Sequence, residues 1–144
     1  ANLYEKMNVY LANQEVAYIK LHNLHWYVKG RSFFTLHTKL EGLYDQTAVI
    51  IDEVAERLLA LGQSPVASLK KALTMTTIKE REDAPVSSED TMRSLMSDVE
   101  YWIRDTKEIA QMADEAGDGA TADQFNGYLS EYQKLLWMLQ SYLA

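Results

Sequence analysis

The chain has 144 residues, of which 47% are hydrophobic, and it contains no cysteine. This length and apolar content predict one domain over residues 1–144, while the lack of thiols excludes disulfide scaffolds, zinc ribbons, iron–sulfur clusters and cysteine nucleophiles. The net charge of −7 disfavours a general affinity for nucleic acid and favours cations, although mild acidity also serves solubility alone.

The sequence carries no signal for export or for membrane insertion. Residues 1–8 include Glu5 and Lys6, which do not suit a signal peptide. No apolar run approaches the roughly 20 residues that a membrane span needs. We therefore expect a soluble, cytoplasmic protein without a membrane partner.

Two long helices are predicted in the first part of the chain. Apolar residues at helical spacing predict a first helix over residues 3–27, ended by Val28, Lys29 and Gly30. The same spacing continues over residues 35–61 and predicts a second helix, for which Gly62 is a natural stop.

A long connection separates these helices from the next pair. Residues 63–86 hold Pro65 and Pro85, the only prolines, and predict a connection with a short helix from Val66 to Leu73.

Two further helices follow. Ser87, followed by Asp90, is a candidate cap for a third helix that runs to about Ala116, and Thr121 with Gln124 has the capping-box pattern for a fourth. Short outer links and a long middle link predict an all-α, ferritin-like four-helix bundle with a long crossover that contains a short helix. No segment shows the alternation of a strand.

Residues able to bind a metal form two pairs on the second helix. His37 is followed one turn later by Glu41, and Asp52 is followed at the same spacing by Glu56. Glu41 and Asp52 are eleven residues apart, close to three turns, so the pairs share a face but lie ~16 Å apart along the axis. One chain therefore cannot close both pairs around one metal.

A second copy of the chain could supply the ligands that one chain cannot bring together. If it lies antiparallel across a two-fold axis near Gln46 and Thr47, the His37 pair of one copy faces the Asp52 pair of the other, and two identical mixed sites form. His25, at the end of the first helix, would complete the histidine side. Imidazole with carboxylate and few ligands suits ferrous iron that keeps positions open for an oxidant, while zinc remains an alternative.

Other readings of these residues stay open. Asp52 and Glu56 could belong to a solvated helix face, since Glu53 and Arg57 beside them are charged as well. A purely structural bundle would use His25 and His37 for packing. The sequence contains no Glu-x-x-His, so a di-iron centre held by a single chain is not expected.

Five runs of the sequence are distinctive: LHWYVKG at 24–30, FFTLH at 33–37, DEVAERL at 52–58, ATAD at 120–123 and WMLQSYL at 137–143. Together they closely resemble the Dps family of mini-ferritins, the DNA-binding proteins from starved cells. The resemblance therefore covers essentially the whole chain.

The resemblance implies a hollow homododecamer that oxidises ferrous iron, preferably with hydrogen peroxide rather than dioxygen, and stores ferric iron against oxidative damage. It implies a dinuclear iron site, or a mononuclear site with a second labile ion, at each two-fold interface. One subunit would give His25 and His37, the other Asp52 and Glu56. Glu41 would take the remaining carboxylate position, where some relatives have aspartate, as a direct or a water-bridged ligand.

Further residues have weaker expected roles. His22 is expected to be an outer neighbour of the ligands or a core hydrogen-bonding residue. Trp26, beside His25, could absorb stray oxidising equivalents, or it could simply pack in the core. In the family the acidic turn before the last helix lines three-fold pores, so Asp118 and Asp123 are candidate cation guides, although ordinary loop polarity explains them as well.

DNA binding is implied by the family name but is not favoured by the residues. Lys6 is the only basic residue before Lys20, and the sequence shown ends without a basic tail. Binding of DNA stays the alternative function, with magnesium as a bridge between an acidic shell and phosphate.

Overall fold

The computed structural model describes residues 2–144 and places most of them in helices. These residues divide into two compact units, the first ending at Ser88 and the second beginning at Glu89, and one domain over residues 1–144 stays a prediction. In chain order the elements are α1 (Leu3–Tyr27), β1 (Val28–Lys29), α2 (Phe33–Ala60), α3 (Leu69–Met75), β2 (Val86–Ser87), α4 (Ser88–Glu115) and α5 (Gly119–Leu143). Among the helices of this described stretch, none is long and apolar enough to cross a membrane.

Helix α1 has the bounds that the sequence predicts. Asn2 caps its N-terminus, because the side-chain Oδ1 accepts a hydrogen bond from the backbone N–H of Glu5 at 2.9 Å. After Tyr27 the chain becomes extended and then turns at Gly30, whose φ is +101°, and at Ser32, whose φ is 66°. This tight reversal brings α2 back along α1 in the opposite direction.

Helix α2 begins two residues before the predicted position. The backbone N–H of Leu36 donates to the carbonyl of Ser32 at 2.8 Å, and this bond starts the helix inside the turn. At the other end Gly62 has a φ of +76°, and Gln63 N–H donates to the carbonyl of Leu58 at 2.9 Å. This is the expected end of an α-helix at a glycine in the left-handed conformation. The predicted stop at Gly62 is confirmed. Fully buried apolar side chains of the two helices include Met7, Tyr10, Leu11, Leu24, Leu40, Val54 and Leu58.

The connection after α2 is fixed to α1 by asparagine side chains. Asn13 is fully buried, and its Oδ1 accepts from Thr76 Oγ1 at 2.6 Å and from Thr77 N–H at 2.7 Å. Asn23 Nδ2 donates to the carbonyl of Glu82 at 3.1 Å, and Arg81 donates back to Asn23 Oδ1 at 2.7 Å. The predicted short helix exists, but it begins three residues and ends two residues later than predicted, because these long-range bonds and not local pattern decide where it lies.

A short parallel pairing of two strands joins the turn between α1 and α2 to the end of this connection, although no segment of the sequence shows strand-like alternation. Val28 pairs with Val86 and Lys29 with Ser87. The Ser88 hydroxyl donates to the carbonyls of Lys29 and Arg31. Strands of two residues need no alternation of apolar side chains, so the sequence pattern could not reveal them.

The second unit is a hairpin of α4 and α5. Asp118, not Thr121, caps α5: Asp118 Oδ1 accepts from Thr121 N–H at 3.1 Å and Oδ2 accepts from the Thr121 hydroxyl at 2.6 Å. The predicted capping box of Thr121 with Gln124 is therefore wrong, and the Gln124 amide donates instead to the hydroxyl of Tyr128. Fully buried side chains of this unit include Val99, Ile109, Ala113 and Phe125.

Candidate metal centre

His25 and His37 form a reciprocal pair at the turn between α1 and α2. Their imidazole rings stack, with centroids 3.6 Å apart and planes at 14°. His25 Nδ1 lies 2.7 Å from the carbonyl oxygen of His37, and His37 Nδ1 lies 2.9 Å from the carbonyl oxygen of His25. Each ring is thus held by the main chain of the other histidine.

These contacts decide which nitrogen of each ring carries hydrogen. A carbonyl oxygen only accepts hydrogen bonds, so Nδ1 must be the protonated nitrogen in both rings. In a neutral imidazole the lone pair then belongs to Nε2, the atom that can bind a metal. A ligating histidine typically donates its other N–H to a carbonyl or carboxylate in this way. The pair therefore fits a metal without any change of tautomer.

The pair lies at the edge of the buried interior. His25 is buried, with 5% of its surface exposed, whereas His37 is half-buried and its ring also faces Phe33, with centroids 5.1 Å apart. A ring that is stacked and hydrogen-bonded to the main chain has little rotational freedom left to lose when a metal binds. The geometry is thus already organised for binding.

The predicted carboxylates are exposed along α2 and are not gathered around the histidines. Glu41 follows His37 by one turn, whereas Asp52 and Glu56 lie further along the same helix. Within residues 2–144, no group of three or more histidine, aspartate or glutamate side chains is close enough to hold a metal. A single chain therefore brings together the two histidines, with Glu41 nearby, and leaves the other two carboxylates apart.

His22 and Trp26 continue from this pair along α1. His22 Nδ1 lies 2.8 Å from the carbonyl of Tyr18 in its own helix, and the ring stacks on Tyr44 with centroids 3.8 Å apart. Trp26 meets His22 at 5.2 Å, but its side chain is 64% exposed. Core packing within the chain therefore does not explain Trp26, while its redox role stays a prediction.

Tyr44 is a neighbour of the pair that the sequence reasoning missed. Its ring meets His25 edge-on, with centroids 5.3 Å apart, in addition to the stack on His22. Partial burial and the negative charges of Glu41 and Asp45 raise the pKa of Tyr44 above its usual value. The spacing of residues 37, 41 and 44 along one helix face was the available signal.

Glu15, on α1, is a second group that the sequence did not single out. Its Oε1 is buried and has no hydrogen-bond partner among the residues that the structure describes. Loss of hydration raises the pKa of Glu15 from 4.5 to about 7. The protonated carboxyl is thus favoured in the folded chain.

This shift predicts how stability depends on pH. The folded chain holds a proton on Glu15 that the unfolded chain releases, so stability should fall as pH rises from about 4.5 to about 7 and then level off. Glu15→Gln should not show this loss of stability with rising pH, and it should be more stable than the parent at pH 8. Urea unfolding across the pH range measures the difference, with Glu131→Gln, exposed on α5, as control. Parallel curves for parent and Glu15→Gln would contradict the assignment.

The candidate pore residues lie at the turn before α5. Asp118 uses both carboxylate oxygens to cap the helix, so it has a structural role regardless of cations. Asp123 is exposed and is the cleaner candidate for a guide. Both pore roles stay predictions.

Known proteins resemble this chain along nearly its whole length. A model of the ferritin-like domain matches residues 4–144. General stress protein 20U of Bacillus subtilis is 42% identical over 99% of this chain and 97% of its own length. DNA protection during starvation protein 2 of Bacillus anthracis is 40% identical over 96% of this chain and 94% of its own length.

Solved structures agree with these relatives. The crystal structure of a Dps protein from Bacillus brevis has a TM-score of 0.95 at 39% identity and covers 99% of this chain and 95% of its own. A Dps protein from Vibrio cholerae O1, described as a member of a superfamily of ferritin-like diiron-carboxylate proteins, has a TM-score of 0.94 at 34% identity, covering 99% and 89% of the two chains. The predicted all-α, ferritin-like fold is confirmed.

Proposed function

The chain belongs to the Dps family of ferritin-like proteins, and we propose that it is a ferroxidase that oxidises ferrous iron at centres shared by two copies and stores the ferric product. The reciprocal pair of His25 and His37 is the observation that carries this proposal. It offers two Nε2 lone pairs on rings stacked 3.6 Å apart, at the start of a helix that continues with Glu41. We expect the protein to act in the cytoplasm, where iron and peroxide meet.

The remaining ligands come from the second copy. Asp52 and Glu56 lie ~16 Å or more beyond Glu41 on the same helix, because each residue adds about 1.5 Å of rise. A two-fold axis near Gln46 would bring them to the partner's histidine pair and would create two equivalent centres. Glu41 would bind iron directly or through a water.

The donor set suits the chemistry. Two neutral imidazoles and two or three carboxylates are ligands that non-haem iron sites use, and they leave positions open for an oxidant. Peroxide takes two electrons, so two ferrous ions, one hydrogen peroxide and two protons give two ferric ions and two waters. The carboxylates partly neutralise the charge that iron gains on oxidation, which favours the ferric product.

Assembly is part of the proposal. Twelve copies of the 16.5 kDa chain in a closed shell would have a mass of roughly 200 kDa and enclose the stored iron. Light scattering distinguishes this mass from that of a monomer or an isolated dimer. If the protein is a dimer that binds and oxidises iron, the proposed centre stands and the proposed storage shell is wrong.

The test is an anaerobic ferrous titration followed by peroxide. The parent should saturate at a low, fixed ratio of iron to chain and then oxidise the bound iron. A variant with Asp52→Asn and Glu56→Gln should lose affinity by roughly 10–100-fold or more, since even changes around metal ligands have effects of that size. Glu53→Gln with Asp45→Asn is the matched control, because it removes the same charge from exposed residues of α2. Equal losses of ferrous affinity in both variants would mean that an acidic surface attracts iron without a specific site, and this would contradict the proposal.

Protection of DNA is the second candidate, because several relatives are named DNA protection during starvation proteins. The net charge of −7 opposes direct contact with phosphate, so any binding should need magnesium as a bridge. A gel shift at moderate salt, with and without magnesium, separates the two functions. A shift that persists in the Asp52→Asn, Glu56→Gln variant would make DNA binding independent of the iron centre.

A further inference from the structure

The turn between α1 and α2 is held from outside by the hydroxyl of Ser88. This residue directly follows β2 and is the last residue of the first unit. Its Oγ lies 2.5 Å from the carbonyl oxygen of Arg31 and 3.2 Å from that of Lys29. A Cβ at Gly30 would lie 4.0 Å from the same Oγ. The turn therefore wraps around Ser88, with one bonded carbonyl on each side of Gly30.

The conformation of this turn needs such support. Gly30 has a φ of +101° and Ser32 a φ of 66°, so both lie in the left-handed region. A residue other than glycine keeps this conformation only where its surroundings hold it there. Within residues 2–144 the side chain of Ser32 makes no capping hydrogen bond at the start of α2. Contacts from elsewhere in the chain must therefore help to decide where α2 begins.

The position of α2 relative to α1 decides how the histidine pair is aligned. His25 Nδ1 donates to the carbonyl of His37 at 2.7 Å, and His37 Nδ1 donates to the carbonyl of His25 at 2.9 Å. Both bonds cross from one helix to the other. A slide of α2 along α1 would change both bonds together, and it would turn both Nε2 atoms away from a common metal.

We propose that Ser88 is a positioning residue for the iron centre. By donating its hydroxyl to the main chain of the turn, Ser88 holds α2 in register with α1 and thereby aims the Nε2 atoms of His25 and His37. This inference rests on the proposed ferroxidase function. Ser88 does not itself touch iron, and it acts only through the backbone of the turn.

The neighbouring contacts of the connection act at earlier positions of the chain. The pairing of β1 with β2 reaches as far as Lys29, which lies before Gly30. The bonds of Asn13 and Asn23 hold the connection to the body of α1. The bond from Ser88 to Arg31 extends this support past Gly30. Loss of the Ser88 hydroxyl should therefore leave the fold intact and loosen the turn.

The first measurement is anaerobic ferrous titration of Ser88→Ala, Ser88→Thr and the parent. Ser88→Ala should bind ferrous iron roughly 10-fold more weakly, the lower end of the effect seen when a residue that orients metal ligands is changed. Ser88→Thr keeps a hydroxyl on the same Cβ and should recover most of this loss. Ser97→Ala, at an exposed serine of α4, is the matched control and should bind like the parent.

The second measurement follows the imidazole rings directly in the metal-free protein. NMR of protein labelled with 15N-histidine reports how fast each ring N–H exchanges with water, and exchange requires its hydrogen bond to open. Exchange at Nδ1 of His25 and His37 should be several-fold faster in Ser88→Ala than in the other three proteins. His22 is an internal reference, because its Nδ1 bonds to the carbonyl of Tyr18 within α1, at 2.8 Å. Its exchange should not change.

The outcomes separate the two proposals. A parent that never saturates with ferrous iron overturns the ferroxidase function and the positioning role with it, even if the ring signals respond as expected. A parent that saturates, while Ser88→Ala matches it in affinity or in ring exchange, overturns the role of Ser88 alone. Equal acceleration at His22, or no recovery in Ser88→Thr, would indicate a general loss of structure and overturns it as well.

A second variant keeps the proposal testable if Ser88→Ala does not fold. Ser88→Cys places a weaker donor at the same position, so it should show the same losses in smaller degree. Parental affinity and parental ring exchange in Ser88→Cys would then overturn the role of Ser88.

Discussion

When each is refolded by itself, a His37→Ala chain and a Glu56→Ala chain should both lack the iron centre. When the two are refolded together in equal amounts, they should recover about a quarter of the parent's ferrous-binding capacity. In a shared centre, one chain gives the histidines and the other gives the carboxylates. A mixed dimer then has one centre in which both halves are damaged and one in which both are intact. Random pairing makes half of the dimers mixed, so about a quarter of all centres are whole.

A second mixture sharpens the result. Parent chains refolded with an equal amount of chains carrying both substitutions should also retain about a quarter of the capacity, because every mixed dimer has two damaged centres. A centre held within one chain predicts different values: no recovery in the first mixture and about half of the capacity in the second. Anaerobic ferrous titration of both mixtures therefore decides between the two arrangements without any structure of the assembly.

His25→Ala and His37→Ala should each weaken ferrous binding by roughly 10–100-fold or more, and the double variant should be little worse than either single one. Each substitution removes one ligand and also the ring on which the other imidazole stacks, with centroids 3.6 Å apart, although the bond of the remaining ring to the main-chain carbonyl is kept. Residues that act as one unit show strongly non-additive effects.

Anaerobic calorimetry with ferrous iron measures the three affinities, and Glu53→Gln on α2 is the control for general electrostatic losses. Losses that add fully in the double variant would mean that each imidazole is oriented independently. The stacking of the two rings would then have no part in binding.

The long helices could be predicted closely because their apolar periodicity and their glycine stops are local properties. Residues 3–27 were assigned correctly, and Gly62 ends α2 as its positive φ allows. The cap of α5 was assigned wrongly because Asp118, Thr121 and Gln124 all have side chains that can cap a helix. The position of α3 and the pairing of β1 with β2 depend on contacts some 60 residues apart in sequence, which periodicity does not contain.

The candidate site was predictable only in part. The sequence placed His25 and His37 on either side of a turn, but their mutual hydrogen bonds depend on the backbone of Gly30 and Ser32, which no spacing rule describes. Tyr44 was overlooked because an aromatic residue at helical spacing is usually core. Sharing of Asp52 and Glu56 with a second copy depends on association, which is not a property of a single chain.

The orienting contacts of the histidine pair end on main-chain oxygens. A ligand that is oriented by a side chain can be misaligned by one substitution at that partner, but no point substitution deletes a carbonyl. Sequence drift around this turn should therefore leave the alignment of both rings intact as long as their backbones stay in register. Insertions and deletions between residues 28 and 33 are the changes to which the pair is vulnerable, so the length of this turn should tolerate less variation than its composition.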